Sequence, residues 1–273
     1  MSLSLAFSPC PNDTFVFHAL THGLVPGAPD FDVTYADVDV TNTAAEQGRY
    51  DLVKVSYAAL PWLADRYTLL PCGGALGRGC GPLVLTAGGT DPAALRGATV
   101  AVPGERTTAY LLFRLWSAGF APGRIEVVPF EKIMPGVAEG RYDAGLVIHE
   151  ARFTYQRHGL TALADLGEWW EGTTGLPIPL GAILARRDAV DPAAATEWVR
   201  ASVRHAWAHP DASAEYVLAH AQEMEPEVVR QHIGLYVNDF TGNLGEEGYA
   251  AVDTLLSRAA DAGLVPPLPA PLR

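Results

Sequence analysis

The 273-residue chain lacks the features that would tie it to a membrane or to nucleic acid. No apolar run reaches the roughly 18 residues that a membrane span requires. No basic block offsets a net charge of −12, so neither nucleic acid nor an anionic membrane is expected as a partner. The apolar run 3–7 is too short for a secretion signal and has no Lys or Arg before it. We therefore expect a cytoplasmic protein.

Cysteines and cofactor motifs are equally scarce. Cys10, Cys72 and Cys80 show no metal-ligand spacing, and we expect them to be free thiols in a reducing compartment. There is no phosphate-binding loop, no G-x-G-x-x-G and no G-x-S-x-G. These absences argue against nucleotide-dependent chemistry and against a serine hydrolase of the α/β type. We expect no metal and no cofactor.

Strand and helix patterns alternate along most of the chain. Residues 3–7 are typical of a buried strand, residues 13–22 of a helix, and residues 31–38 alternate apolar and polar side chains as a half-exposed strand does. After Asp191 the pattern is almost wholly helical. This alternation indicates an α/β fold with mainly parallel sheets, and the length favours two domains.

A repeat relates two parts of the chain. Residues 46–60 (EQGRYDLVKVSYAAL) match residues 138–153 (AEGRYDAGLVIHEARF), and both contain Gly-Arg-Tyr-Asp before an apolar strand. Upstream of each match, at 3–20 and 98–115, a strand, a proline-containing loop and a helix follow in the same order. Chance recurrence of a helix stop and a strand start is the alternative. The shared order favours two related lobes.

The boundaries of these lobes follow from two segments rich in glycine and proline, 72–84 and 173–187, which can act as hinges. We predict that lobe one comprises residues 1–84 and 184–273, and that lobe two, residues 85–183, is inserted between them. Two α/β lobes joined by two crossings form a periplasmic-binding-protein-like clamp of type II. Its ligand is expected in the cleft between the lobes, at the carboxyl ends of the strands.

Small polar residues occupy the predicted first helical turn in both halves of the repeat. Asn12 lies there in lobe one, followed by Asp13, and Thr107 and Thr108 lie there in lobe two. The N–H groups of a first turn lack partners and attract anions, so a carboxylate or hydroxylated ligand is expected at the threonine pair. Ordinary helix capping explains the same residues equally simply.

The ends of the repeated strands supply further candidates. Lys54 and Ser56 share one face of their strand, and a lysine in an apolar strand must reach an edge or a cleft. His149 ends the matching strand, where its ordinary pKa of about 6.5 suits a general base, although a structural histidine is the alternative. Trp169 and Trp170 fit either stacking on a flat ligand or packing between lobes.

Several of these motifs carry a resemblance to a known family. They are SPCPNDTFVFHAL (8–20), KVSYAAL (54–60), GLVIHEARFTY (145–155) and IPLGAIL (178–184). Over nearly its whole length the chain resembles the 1,4-dihydroxy-6-naphthoate synthases of the futalosine route to menaquinone. The resemblance implies a cofactor-free carbon–carbon lyase with a periplasmic-binding-protein-like fold. The implied substrate is the small molecule cyclic dehypoxanthine futalosine, and the implied products are 1,4-dihydroxy-6-naphthoate and a sugar-derived fragment.

The resemblance also implies roles for particular residues. His149 would be the proton acceptor, and the residues holding substrate would be Lys54, Val55, Ser56, Thr107 and Thr108. Two other functions stay open. Chorismate dehydratase is a similarly folded enzyme of the same pathway, and a solute-binding protein would use the same clamp without chemistry.

Overall fold

The computed structural model describes residues 2–89, 91–120, 122–221 and 225–272. Within these ranges eleven strands form two sheets, and helices cover both. The strands are β1 Leu3–Phe7, β2 Phe31–Tyr35, β3 Leu52–Ser56, β4 Tyr67–Leu69, β5 Ala75–Gly77, β6 Leu83–Thr86, β7 Thr99–Val102, β8 Arg124–Val127, β9 Ala144–Val147, β10 Thr161–Asp165 and β11 Ile178–Arg186.

The α-helices separate these strands and then form the C-terminal part of the chain. They are α1 Pro11–Thr21, α2 Val38–Glu46, α3 Leu60–Leu63, α4 Thr108–Trp116, α5 Phe130–Ala138, α6 Ala151–Thr154, α7 Leu166–Thr174, α8 Pro192–Ala208, α9 Ala214–His220, α10 Pro226–Tyr236, α11 Asp239–Gly242 and α12 Gly245–Asp261. In the described part of the chain, none of them combines the length and apolar composition that crossing a bilayer requires.

The predicted repeat corresponds to one topology used twice. In the first sheet β1 pairs in parallel with β2 on one side and β3 on the other. In the second sheet β7 pairs in parallel with β8 and β9 in the same arrangement. The helices α1 and α4 follow the central strands β1 and β7. Because equivalent strands have equivalent neighbours, the loop after β1 corresponds to the loop after β7. The loop after β3 likewise corresponds to the loop after β9.

The repeated Gly-Arg-Tyr-Asp has a structural explanation. Gly48 and Gly140, each just after a helix, have φ of +69° and +72°, a left-handed conformation that favours glycine at a helix end. The aspartates then anchor the neighbouring strand. Asp51 Oδ2 accepts a hydrogen bond from Ser4 N at 2.8 Å, and Asp143 Oδ2 accepts one from Thr99 N at 2.8 Å. The motif therefore ends a helix and sets strand register in both sheets.

The remaining strands are antiparallel, so the sheets are mixed rather than mainly parallel. In the first sheet β11 runs antiparallel to β3, β4 and β5; in the second, β6 runs antiparallel to β9 and β10. The sequence pattern missed this because a buried strand has the same apolar pattern in either direction.

The predicted lobe boundaries at 84/85 and 183/184 fall inside β6 and β11. The sheet to which each strand belongs favours boundaries near 82 and 177, and a hinge at these crossings stays a prediction.

Helix starts differ from the predictions where caps were misjudged. Helix α1 begins at Pro11, since proline suits the first helical position and Cys10 supplies the extended residue before it. The predicted strand 31–38 ends at Tyr35, and α2 begins at Val38.

Two core clusters of buried apolar side chains cover each sheet, one on each face. The carboxyl ends of the parallel strands are left open toward the space between the lobes.

Candidate active site

A cavity of about 670 Å³ lies where the two lobes face each other. Walls from lobe one and lobe two alternate around it, with apolar side chains between the polar ones. Six residues predicted from the sequence line it together: Asn12, Lys54, Ser56, Thr107, Thr108 and His149. The two lobes thus bring to one place residues that are up to 137 positions apart.

Val55 is the exception among the predicted residues. Its side chain is fully buried and packs in the core of lobe one rather than lining the cavity. Alternate residues of a strand face opposite sides, so Lys54 and Ser56 point into the cleft and Val55 points away. The Val55 side chain therefore does not face a substrate bound in this cavity.

A buried ion pair forms the lobe-one wall. The ammonium of Lys54 pairs with the Asp13 carboxylate, and both side chains are less than 10% exposed. Ser8 Oγ and Asn12 Nδ2 also donate to Asp13, each at 2.7 Å. A buried carboxylate needs such partners, and three donors satisfy it here. This explains the polar cluster after β1: three of its residues build one charged wall.

Gly181 gives Lys54 the room to reach Asp13. A Cβ added to Gly181 would lie 2.9 Å from Lys54 Cε, closer than carbon atoms pack. Gly181 is paired with Ser56 across the β3–β11 ladder. The glycine of the IPLGAIL segment therefore determines where the ammonium lies.

Ser56 belongs to a contact between the lobes. The Asn42 side chain accepts from Ser56 N at 2.8 Å, donates to Ser56 Oγ at 3.2 Å and donates to the Arg106 carbonyl at 3.3 Å. Arg106 directly precedes Thr107. The amide of Asn42, which the sequence did not single out, thus joins the end of β3 to the loop before α4.

The two threonines at the start of α4 do different work. Thr107 is fully buried and caps the helix: its hydroxyl accepts from Tyr110 N at 3.1 Å and donates to the Gly104 carbonyl at 2.8 Å. The Thr108 hydroxyl instead reaches lobe one, donating to the Leu180 carbonyl at 2.8 Å and accepting from Ala58 N at 3.2 Å. Capping therefore explains Thr107, and the N–H groups of Thr108 and Ala109, in the first turn of the helix and beside the cavity, have no partner within the helix.

His149 has an unusual backbone. Its φ is +56°, and it is the one described residue other than glycine with a positive value. Such a conformation is costly for a residue with a Cβ and is found mostly where function requires it. The turn after β9 thereby directs the imidazole into the cavity, where Phe130 packs against it edge to face at 5.5 Å between ring centroids.

The protonation of His149 differs from the sequence-based expectation. Burial lowers its pKa from 6.5 to about 4; the Asp13 carboxylate opposes this shift, and the Lys54 ammonium adds to it. The ring is therefore neutral at pH 7 and has a free lone pair. A neutral imidazole beside an ion pair can accept a proton from a bound molecule.

Three residues that were not predicted from the sequence lie at or next to the site: His232, Glu150 and Tyr236. His232 is fully buried, its Nε2 lies 2.9 Å from Asn12 Oδ1, and its Nδ1 lies 3.8 Å from Glu150 Oε2. Its ring runs nearly parallel to that of His149, at 6.3 Å. Tyr236, one turn later on α10, lines the cavity. His232 lies on an ordinary amphipathic helix, so nothing in the sequence pattern set it apart. Glu150 could have been noticed, because it directly follows His149.

Cys10 and the tryptophan pair complete the comparison with the sequence. Burial, with a smaller effect of Glu150, raises the pKa of Cys10 well above its ordinary value, so the free group is a neutral thiol rather than a nucleophile. Trp170 is fully buried in lobe two and donates to the Pro177 carbonyl at 3.0 Å. Trp169 packs partly buried on the same core. Neither tryptophan lines the cavity.

A second cavity, of about 730 Å³, adjoins the first; the first is called the inner cavity and the second the outer cavity. Val38, Ile148 and His149 line both, so His149 lies at their junction. The outer cavity has the start of α2 on one side and the segment 127–130 on the other. Asp37 and Asp39 give it carboxylates, and burial together with Asp39 and Glu131 raises the pKa of Asp37.

Two relatives carry the name 1,4-dihydroxy-6-naphtoate synthase. One, from Streptomyces coelicolor, is 65% identical over 272 residues, covering 98% of this chain and 96% of its own. The other, from Thermus thermophilus, is 50% identical over 273 residues, covering 99% of this chain and 98% of its own. The resemblance inferred from the motifs is thereby confirmed.

Solved structures confirm the predicted fold. Protein AF1704 from Archaeoglobus fulgidus superimposes with a TM-score of 0.88 at 32% identity, over 97% of this chain and 98% of its own. The periplasmic aliphatic sulphonate binding protein SsuA from Escherichia coli superimposes with a TM-score of 0.68 at 15% identity, over 98% and 89%. The fold is thus periplasmic-binding-protein-like. The profile of a family described as menaquinone biosynthesis matches residues 3–261, and the chain belongs to that family.

Proposed function

We propose that this protein is a carbon–carbon lyase that forms 1,4-dihydroxy-6-naphthoate from cyclic dehypoxanthine futalosine in the cytoplasm. The observation that carries the proposal is the position of His149, a neutral imidazole held in a left-handed backbone conformation at the junction of two connected cavities. The names of the two relatives supply the product. The sequence contains no phosphate-binding loop, no G-x-G-x-x-G and no G-x-S-x-G that would favour a different reaction.

The inner cavity suits the aromatic half of the product. Its apolar walls include Val38, Pro82 and Leu180, which match the faces of a bicyclic ring. The carboxylate of a naphthoate would lie at the start of α4, where the N–H groups of Thr108 and Ala109 and the helix dipole attract an anion. Such a contact orients the ring without a charged side chain.

His149 then acts as the general base. Its lone pair accepts one proton from the bound substrate, the carbon–carbon bond to the sugar-derived fragment breaks, and the electron pairs rearrange to complete the aromatic ring. The Lys54 ammonium, next to the cavity, stabilises negative charge that develops on a substrate oxygen during this step. Formation of the naphthalene ring drives the reaction forward.

The outer cavity suits the sugar-derived fragment. Hydroxyl groups of that fragment can donate to the Asp37 and Asp39 carboxylates, since a carboxylate accepts hydrogen bonds from several directions. With the aromatic half inside and the hydroxylated half outside, the bond that breaks lies beside His149. The position of one base at the junction is what this arrangement requires.

The test is turnover by the purified protein. The proposal expects cyclic dehypoxanthine futalosine to be consumed, with the absorbance of 1,4-dihydroxy-6-naphthoate appearing in equal amount. Chorismate, offered separately, should remain unchanged. Dehydration of chorismate would favour the dehydratase, and tight binding of the cyclic substrate without turnover would favour a solute-binding protein.

A further inference from the structure

Three possible metal ligands from two lobes meet beside the inner cavity. Cys10, His149 and Glu150 each offer one donor atom, and these three atoms all lie within 4.8 Å of one another. Cys10 comes from the loop between β1 and α1, whereas His149 and Glu150 come from the turn after β9. Among the described residues this is the one group of three or more such side chains placed so closely.

The donor set matches one class of cation. A thiolate, an imidazole and a carboxylate are the ligands that Zn²⁺ takes in proteins, with bonds of about 2.0–2.3 Å. Ligand atoms around a tetrahedral ion are then about 3.3–3.8 Å apart, so small side-chain rotations would bring these three into position. The nearby Lys54 ammonium is already paired with Asp13 and does not confront the ion as an unpaired charge.

A buried lone pair beside the cluster points to the same conclusion. Asn12 Nδ2 donates to Asp13, so Asn12 Oδ1 is the acceptor that faces His232 Nε2, and the ring must donate from that nitrogen. The other nitrogen, Nδ1, then carries a lone pair. It is fully buried, has no hydrogen-bond partner in the described part of the chain, and faces the Glu150 carboxylate at 3.8 Å. Two facing acceptors repel each other unless a cation or proton lies near.

We propose that Cys10, His149 and Glu150 bind a single borderline-soft divalent cation of the Zn²⁺ class, with His232 next to the carboxylate ligand. Binding releases the Cys10 thiol proton to solvent and uses the lone pair of His149. The ion joins one lobe to the other across the cleft and removes the base. It is therefore an inhibitor and not a cofactor; this second clause rests on the function proposed above, whereas binding itself does not.

Cobalt titration of the metal-stripped protein tests the binding clause. Co²⁺ bound by a thiolate gives a near-ultraviolet charge-transfer band and, in tetrahedral sites, strong visible bands; one equivalent of Zn²⁺ should abolish both. Cys10→Ser should remove the charge-transfer band, and Glu150→Gln should weaken cobalt binding by at least 10-fold. Cys72→Ser is the matched control, because Cys72 is also buried but lies against Thr196 of α8. It should leave the titration unchanged.

Two outcomes would overturn the site. One is a titration without a thiolate band, and the other is a band that survives in Cys10→Ser. Each variant is first checked for a cooperative thermal transition. If Cys10→Ser fails to fold, two other measurements decide the question. The site predicts that Glu150→Gln weakens cobalt binding and that Zn²⁺ protects Cys10 of the wild type from alkylation. Unchanged cobalt binding together with unprotected Cys10 would overturn it.

Inhibition is measured separately on the wild type. Turnover should fall with the same Zn²⁺ dependence as the cobalt displacement and recover on chelation. Stoichiometric Zn²⁺ binding without inhibition would refute the inhibitory clause and leave the proposed function intact. Absence of turnover in the chelated protein would refute the proposed function and leave the metal site to the titration.

Discussion

His232 Nε2 lies 2.9 Å from Asn12 Oδ1, which joins a helix near the end of the chain to the first turn of its first helix. Asn12 in turn donates to Asp13, the partner of Lys54. The position of the cavity's charged wall therefore depends on a residue 220 positions away that does not line the cavity. His232 is in this sense a positioning residue.

This relationship predicts that His232→Phe harms catalysis and stability together. Phenylalanine fills the space but leaves Asn12 Oδ1 without its donor, which costs about 1–3 kcal/mol in unfolding free energy. The kcat should fall more than KM rises, since the substrate does not touch His232. The matched control is His232→Gln, whose amide can donate to Asn12 and should restore part of the kcat. Equal kinetics in the two variants would contradict the positioning role.

Gly181→Ala should displace Lys54. The added methyl would lie 2.9 Å from Lys54 Cε, so the end of this side chain must shift and the ammonium is displaced from its present position beside Asp13. A shift of this size near reacting atoms lowers kcat/KM by roughly 10²-fold. Gly172→Ala in α7 is the control, because its Cβ would meet no atom within 4 Å, and it should behave as the wild type. Wild-type kcat/KM in Gly181→Ala would show that Lys54 has no role.

The two threonines at the start of α4 should separate in a mutational test. Thr107→Val removes a buried cap and should lower the unfolding free energy by about 1 kcal/mol with little change in KM. Thr108→Val removes the hydroxyl that bonds to Leu180 and Ala58 beside the cavity, so KM should rise several-fold. Urea unfolding and steady-state kinetics on both variants provide the comparison. A larger KM effect in Thr107→Val would reverse the assignment.

The low pKa values of the buried histidines predict a stability loss on mild acidification. Burial lowers the pKa of His232 well below 6.5, and it lowers that of His149 to about 4. Below pH 6.5 the unfolded chain takes up protons that the folded chain does not, so unfolding becomes easier as pH falls toward about 4. Each such group contributes a slope of up to about 1.4 kcal/mol per pH unit. Urea titrations between pH 7.5 and 5 measure it.

His232→Phe is the variant that tests this explanation. It has no titrating group at the position, so its stability should depend less steeply on pH below 6.5 than that of the wild type. An unchanged slope would mean that other groups cause the acid sensitivity.

The fold could be predicted from the sequence because the repeated motif has a structural role in both sheets. Gly48 and Gly140 end helices in a left-handed conformation, and Asp51 and Asp143 accept from the neighbouring strand, so the motif had to recur with the topology. Strand direction was not predictable: β11 lies between β3 and β4 by tertiary pairing, and its composition is that of any buried strand.

The site was predictable where residues follow the repeat and not elsewhere. Lys54, Ser56 and His149 end equivalent strands, which placed them at one cleft. His232 and Asn42 reach the site from helices that have no special pattern, because their roles depend on which helix faces the cleft. The pKa of His149 also needed the fold, since it is mainly burial in the folded chain that lowers it to about 4.

The central claim is that His149 is the base, and the pH dependence of turnover in the wild type and in His149→Asn tests it most directly. Protonation of His149 should leave the wild-type kcat nearly constant from pH 8 to 6. The kcat should decline only as the pH approaches the His149 pKa of about 4. The His149→Asn variant should bind a product analogue as the wild type does, lose roughly 10²–10⁴-fold in kcat, and lack that acid limb. Near wild-type turnover in His149→Asn would contradict the account.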